Sequence, residues 1–211
     1  MRHCGQAYHD FILGSPRDRK LRERFQKLVL ETVPPHGIIL DFGAGTGIDA
    51  RCYAANGLEV LVHEPMDSNL SYLREYCREE IANGSIAITG LPVRRKVQMI
   101  AANFAVLNLI GDHRALFANF ADWLAPQGAV LVSLLNPFFL GDARYRWWRS
   151  NLGHLVARGA YAVEGEFEAI HRFTPSAVMR AARPRFAAVR RIPGWPALAV
   201  SRYMFMLFRK R

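Results

Sequence analysis

The 211 residues are 51% hydrophobic and 22% charged with no low-complexity tract, a composition that excludes a disordered chain and suits one sizeable domain. The longest apolar run, Val97 to Ile110, is broken by Gln98, Asn103 and Asn108 and falls short of the roughly 18 to 20 residues of a membrane span, so no stable membrane insertion is expected. The formal net charge of +10 lies in the last third, because residues 1–139 carry 14 basic and 14 acidic side chains and residues 140–211 carry 14 and 4.

Residues 8 to 33 place Phe11, Leu21, Phe25, Leu28 and Val29 among charges at helical spacing, and Pro34, Pro35 and Gly37 end that predicted helix. Ile38 to Leu40 reads as a buried strand running into a glycine-rich turn at Gly43, Gly45 and Gly47. Ile48 to Ala55 suits a helix closed by Asn56 and Gly57, and Leu58 to His63 a second strand ending at Glu64. The alternation continues with a helix over 67–82, a strand over 85–88, a strand over 97–102, a helix over 112–124 and a fifth strand over 129–135. Strands alternating with helices predict a parallel sheet covered on both faces. From Asn136 the rhythm breaks into an aromatic, arginine-rich stretch with no clear strand until 185–192 and 202–208.

Strand, glycine turn, helix, strand and acid, in that order, are the elements of a nucleotide-type site. Close glycines let backbone N–H groups approach an anion at a helix N-terminus, and an acid 21 residues after Gly43 suits the two hydroxyls of a ribose. The third glycine is Gly47 and position 48 is isoleucine, which departs from the dinucleotide fingerprint; the absence of a following Gly-Lys-Ser/Thr excludes a phosphate loop.

The segment Ile38 to Gly47 resembles the first motif of class I S-adenosylmethionine-dependent methyltransferases, and Val60 to Met66 resembles their acidic second motif. The resemblance continues through Asn103 to Asn108 after the fourth strand and Trp123 to Val130 before the fifth, so that it covers about residues 36 to 135. It implies an α/β fold, a doubly wound, mostly parallel seven-stranded sheet with helices on both faces and an insertion after strand 5. The expected organisation is a helical cap over 1–35, a cofactor-binding core over 36–135, a substrate-covering insertion over 136–184 and final strands over 185–211. It further implies S-adenosylmethionine as cofactor, S-adenosylhomocysteine as product and no metal. Gly43, Ala44, Gly45 and Gly47 would pack against the methionine part of the cofactor and Asp41 would lie near its amino group. Glu64 would hold the ribose, Met66 would cover the adenine, and Asn103 and Phe104 would sit beside the cofactor. Many relatives carry an aspartate where this chain has Thr89, Gly90 and Leu91, which leaves the adenine edge to Leu91 and backbone.

No catalytic dyad stands out. Tyr8, His154 and His171 are the weak candidates for proton transfer, and His113, after Asp112, reads as a capping or surface residue. Asn136, Pro137 and Phe138 resemble the motif of some amino-methylating enzymes but follow the fifth strand instead of the fourth, so a plain loop is expected. Tyr145, Trp148, Leu152 and Leu155 recur at helical spacing and predict an amphipathic helix over the sheet edge or a lid.

The functional expectation is methyl transfer to an N or O atom of a small, planar or anionic metabolite by direct displacement, with catalysis chiefly through alignment. An RNA methyltransferase using the basic last third is the alternative, and a non-catalytic partner subunit the third reading. A monomer or homodimer in a bacterial cytoplasm is expected. Cys4, Cys52 and Cys77, odd in number and far apart, suit a reducing compartment, and the first ten residues hold no apolar signal stretch.

Overall fold

A computed structural model describes residues 5–165, 169–194 and 196–211, with the backbone alone for Tyr8, so the expectation for the Tyr8 side chain lies outside the described residues. The helix predicted over 8–33 is two helices, α1 (Gln6–Gly14) and α2 (Pro16–Thr32). Pro16 has no N–H to continue α1 and a φ that suits the first position of a helix; the Ser15 hydroxyl accepts the Asp18 N–H at 3.3 Å and caps α2. β1 (Ile38–Phe42), α3 (Ile48–Ala55) and β2 (Glu59–His63) follow the expected β-α-β order. The helix predicted over 67–82 divides at Cys77 into α4 (Asp67–Tyr76) and α5 (Arg78–Ala82). β3 (Ile86–Ile88), β4 (Val97–Ala102), α6 (His113–Trp123) and β5 (Leu124–Leu135) complete the alternating part. β5 starts five residues earlier than predicted, with Pro126 and Gln127 exposed on it.

The stretch without a predicted strand contains α7 (Arg146–Ser150), α8 (Leu152–Arg158), an antiparallel hairpin of β6 (Ala160–Glu164) and β7 (Ala169–Phe173), and α9 (Pro175–Ala182). β8 (Phe186–Ile192) and β9 (Tyr203–Lys210) end the chain as an antiparallel pair. The main sheet has seven strands in the order β3-β2-β1-β4-β5-β9-β8, and β6 with β7 forms a separate two-stranded sheet. The strands β3, β2, β1 and β4 are mutually parallel.

The chain forms two compact units, one of residues 1–103 and 123–129, the other of residues 104–122 and 130–211. In the first, β1 and β2 are buried almost throughout, which is why they read as unbroken apolar runs. Phe25 and Val29 of α2, Tyr53 of α3 and Leu73 of α4 are fully buried in the same unit. β1 lies between β2 and β4, so the strand order reverses there; in open α/β sheets the crevice at the carboxyl end of such a switch point binds ligands. In the second unit Phe117 packs edge-on against Phe120, Phe186 and Phe208 at 5.1 to 5.8 Å between ring centres, which anchors α6 on the β8–β9 pair.

Candidate functional site

Because Phe42 pairs with His63 at the ends of β1 and β2, the glycine turn and Glu64 leave the sheet side by side. The two turns then lock together. Gly43 N–H and Ala44 N–H both donate to the His63 carbonyl (2.8 and 3.1 Å), and Gly45 N–H donates to Glu64 Oε2 at 2.7 Å. Met66 N–H donates to Glu64 Oε1 at 2.9 Å, and Gly47 N–H turns back to the Ala44 carbonyl at 3.0 Å. The loop N–H groups at 43, 44, 45 and 47 are therefore spent within the protein, contrary to the expectation that they face an anion. A pyrophosphate cradle needs those donors, so the geometry disfavours a dinucleotide independently of the missing third glycine.

Glycine is required at this turn. Gly43, Gly45 and Gly47 take φ of 76°, 57° and 86°, a region costly for other residues. A Cβ at Gly47 would also stand 2.7 Å from Cys77 Sγ and 3.0 Å from Leu73 Cγ. Burial pushes the Cys77 thiol up to about 12, so this sulfur is packing and not a nucleophile.

Beneath the loop, Asp41 is buried and its Oδ2 has no hydrogen-bond partner. Burial, reinforced by the charge of Asp49, holds its carboxyl well above the usual carboxylate range, with Arg22 and the Ala50 amide acting the other way. Asp49, at the start of α3, is the hub that sequence reading missed. Arg22 of α2 pairs with its Oδ2 at 2.6 Å, Gln26 donates to Oδ1 at 2.7 Å, and Asn103 donates to Oδ2 at 3.0 Å. Asn103, expected beside a cofactor, thus ties the end of β4 to the first helix of the β-α-β unit. No local pattern signals this, since the partners are 23 to 54 residues apart.

α1 reaches the glycine turn through His9, whose Nδ1 lies 3.2 Å from Thr46 Oγ1 while its ring packs on Tyr72 and Tyr76 at 5.0 and 4.5 Å. Burial lowers its pKa, favouring the neutral ring. Gly5 N–H donates to Asn69 Oδ1 at 3.1 Å, a second clasp between α1 and the segment after Glu64. Met66 and Leu91 are exposed at 51% and 41%.

Phe104 belongs to the second unit. It and Ala105 adopt φ of 50° and 66°, a conformation costing roughly 1–2 kcal/mol per non-glycine residue and concentrated at functional sites. The Phe104 ring meets Tyr203 edge-on at 5.8 Å. His113 is buried and not on the surface: its Nε2 donates to the Leu107 carbonyl at 2.9 Å, its ring lies 3.9 Å from Phe173, and Asp112 provides the cap, accepting the Ala115 N–H at 3.0 Å. His171 is half-buried on β7 beside Phe173 (5.9 Å), whereas His154 is exposed on α8. Asn136 is fully buried with its amide spent on backbone, donating to Leu198 and Ser201 and accepting from Phe138 N–H, as a loop-holding residue does.

The predicted stripe Tyr145, Trp148, Leu152, Leu155 is split between α7 and α8, and of the four only Leu155 is buried. Two further buried residues of this region lie on the unforeseen hairpin. Tyr161 of β6 and Arg172 of β7 are cross-strand partners, and Arg172 pairs with Asp142 at 3.3 Å under the Trp147 ring.

Comparison with known proteins agrees with this geometry. A family model described as a methyltransferase domain matches residues 14–177. No curated protein matches the chain in sequence. Among solved structures, the CcbJ methyltransferase of Streptomyces caelestis is 18% identical with a TM-score of 0.66, covering 90% of this chain and 88% of that one. An S-adenosylmethionine-dependent methyltransferase of Mesorhizobium loti is 17% identical (TM-score 0.62; 87% and 96% covered). The N-methyltransferase NodS of Bradyrhizobium japonicum, solved with S-adenosylhomocysteine, is 16% identical (TM-score 0.64; 93% and 88%). With three quarters of its residues inside the family model, the chain belongs to the methyltransferase-domain family, and its seven-stranded sheet has the fold of the S-adenosylmethionine-dependent methyltransferases.

Proposed function

We propose that the enzyme methylates a nitrogen or oxygen of a small, planar or anionic metabolite. The observation that carries this reading is the buried polar cluster of Tyr161 and Arg172 on the β6–β7 hairpin with Asp142 beside them, convergent polar groups of the kind that orient a small ligand. The names of two similar structures, an N-methyltransferase NodS and a glycopeptide N-methyltransferase MtfA, favour nitrogen.

The fit to the cofactor rests on Asp41 and Glu64. The unmatched, buried Oδ2 of Asp41 suits an ammonium group, which would favour the ionised carboxylate that burial now disfavours. Each Glu64 oxygen already accepts one backbone N–H and keeps a lone pair for a ribose hydroxyl. Met66 and Leu91 offer apolar surface for the adenine, and Gly43, Ala44, Gly45 and Gly47 a wall without side-chain bulk. S-adenosylmethionine supplies a methyl group on a sulfonium, transferable by direct displacement. What the protein must do is hold donor and acceptor in line, worth up to about 7–11 kcal/mol in well-aligned systems. Of the expected candidates, His171, half-buried on β7, and His154, exposed on α8, are the ring nitrogens of the second unit from which a proton acceptor would be drawn. No described helix is long and apolar enough to cross a membrane, and the unpaired Cys52 and Cys77 fit a cytoplasmic location.

Radiolabelled methyl donor given to a cell extract tests the reading. We expect label in the organic-soluble metabolite fraction, with turnover changing only a few-fold between about 50 and 200 mM salt. Label at a discrete site in RNA, with binding lost by about 10³ over that range, would overturn it in favour of the basic last third as an RNA surface.

A further inference from the structure

The hairpin cluster contains more hydrogen-bonding capacity than it uses. Tyr161, Arg172 and Asp142 are 7%, 8% and 8% exposed. Tyr161 and Arg172 sit opposite each other in the β6–β7 register, which puts both side chains on one face. Arg172 Nη1 donates to the Asn136 carbonyl at 3.2 Å and lies 3.3 Å from Asp142 Oδ2. Yet the Tyr161 hydroxyl and Arg172 Nε are buried without a hydrogen-bond partner, and Asp142 Oδ2, though ion-paired with Arg172, accepts no hydrogen bond. Buried polar atoms are rarely left unmatched, and three in one cluster need an explanation. Trp147 roofs the cluster, 5.4 Å from the Arg172 guanidinium and 6.5 Å from the Tyr161 ring, with Tyr145 stacked beside it at 5.7 Å. It is carried on α7, a five-residue helix without a side-chain cap.

The unmatched atoms specify their complement. Arg172 Nε–H requires an acceptor, Asp142 Oδ2 a donor, and the Tyr161 hydroxyl either. Arg172 and Asp142 cancel in charge, and Arg202, the further cation acting on Arg172, is exposed and screened by solvent. A carboxylate entering here would oppose Asp142 and an ammonium would oppose Arg172, so the matching group is uncharged and carries a donor and an acceptor side by side. We propose that Tyr161, Arg172 and Asp142 anchor the acceptor by a neutral amide or lactam edge, its carbonyl taking the Arg172 Nε–H and Tyr161 hydroxyl bonds and its N–H donating to Asp142, with Trp147 turning aside to admit it. The proposal rests on the small-molecule reading above and narrows it from planar or anionic to planar and neutral.

Fluorine-detected ligand NMR on the full chain, saturated with S-adenosylhomocysteine, tests this with 4-fluorobenzamide, 4-fluorobenzoate and methyl 4-fluorobenzoate. The amide should bind about tenfold tighter than the acid and the ester, which lack the donor. Tyr161→Phe should weaken the amide about fivefold. Asp142→Asn, which leaves the Arg172 charge unbalanced, should reverse the preference toward the benzoate, a change that loss of packing alone does not produce. Equal affinity for the three probes, no binding of any, or an order unchanged in Asp142→Asn would overturn the anchor; should Asp142→Asn not fold, the Tyr161→Phe result decides alone. If the probes behave as expected while methyl label enters only RNA, the acceptor reading fails and the anchor stands; if label enters metabolites but the probes do not discriminate, the anchor alone fails.

Discussion

Among the described residues each unit buries an arginine–carboxylate pair, and the two are built differently. In the first, Arg22 and Asp49 meet at 2.6 Å, with side chains 10% and 6% exposed, and Gln26 and Asn103 supply two further donors to the same carboxylate. In the second, Arg172 and Asp142 are as deeply buried, at 10% and 12%, but stand 3.3 Å apart, and Asp142 Oδ2 accepts no hydrogen bond. A buried ion pair offsets its desolvation only when geometry and auxiliary hydrogen bonds are good. By that standard Arg22–Asp49 is a finished joint that sets α2, α3 and β4 around the glycine turn, and Arg172–Asp142 is an unfinished one that a ligand completes.

Breaking the finished joint should have the largest effect. Asp49→Ala leaves Arg22 buried without its carboxylate and should cost about 3–5 kcal/mol in urea unfolding; a loss below about 1 kcal/mol would make the joint ornamental. Next comes Gly47→Ala, which meets both a left-handed backbone and Cys77 Sγ. Strain and overpacking together predict a loss of about 2–4 kcal/mol by the same measurement.

Glu64→Ala removes an acceptor that holds Gly45 and Met66 as well as the proposed ribose contacts. Calorimetry with S-adenosylhomocysteine should show about 1.5–3 kcal/mol of lost affinity, and equal affinity would remove Glu64 from the site. Asp41 predicts a pH effect. Its folded carboxyl titrates above the ordinary value of about 4, so between that value and the raised one the folded state holds a proton the unfolded chain has released. Stability from this group therefore falls as pH rises through that window, by up to about 1.4 kcal/mol per pH unit. S-adenosylhomocysteine affinity should rise over the same window with release of a proton, and Asp41→Asn should flatten both slopes. The smallest effect should come from the unfinished joint. Tyr161→Phe deletes a hydroxyl with no partner, and its unfolding free energy should change by less than about 1 kcal/mol, or rise.

The same contrast separates what was legible in the sequence from what was not. The β-α-β unit could be read because its signals are local: three closely spaced glycines, a helix ended by Asn56 and Gly57, an apolar strand ended by Glu64. The breaks at Ser15 and Cys77 were missed because helical periodicity runs through them, although Pro16 marked the first. The hairpin escaped because Ala160 to Glu164 and Ala169 to Phe173 are short and only weakly alternating, with Arg172 and His171 where apolar residues would signal a strand.

By itself the sequence determined the fold class, the family and the glycine turn, since backbone conformation at glycines and burial of parallel strands depend on residues within a few positions of one another. Tertiary structure alone decided how the polar groups are spent. The loop amides are consumed by His63 and Glu64, Asn103 is bound to Asp49, and Tyr161, Arg172 and Asp142 are brought together with hydrogen bonds still unmade. Hydrogen bonding and charge compensation act over a few ångströms in space between residues 19 to 54 or more apart in the chain, and no local pattern records them.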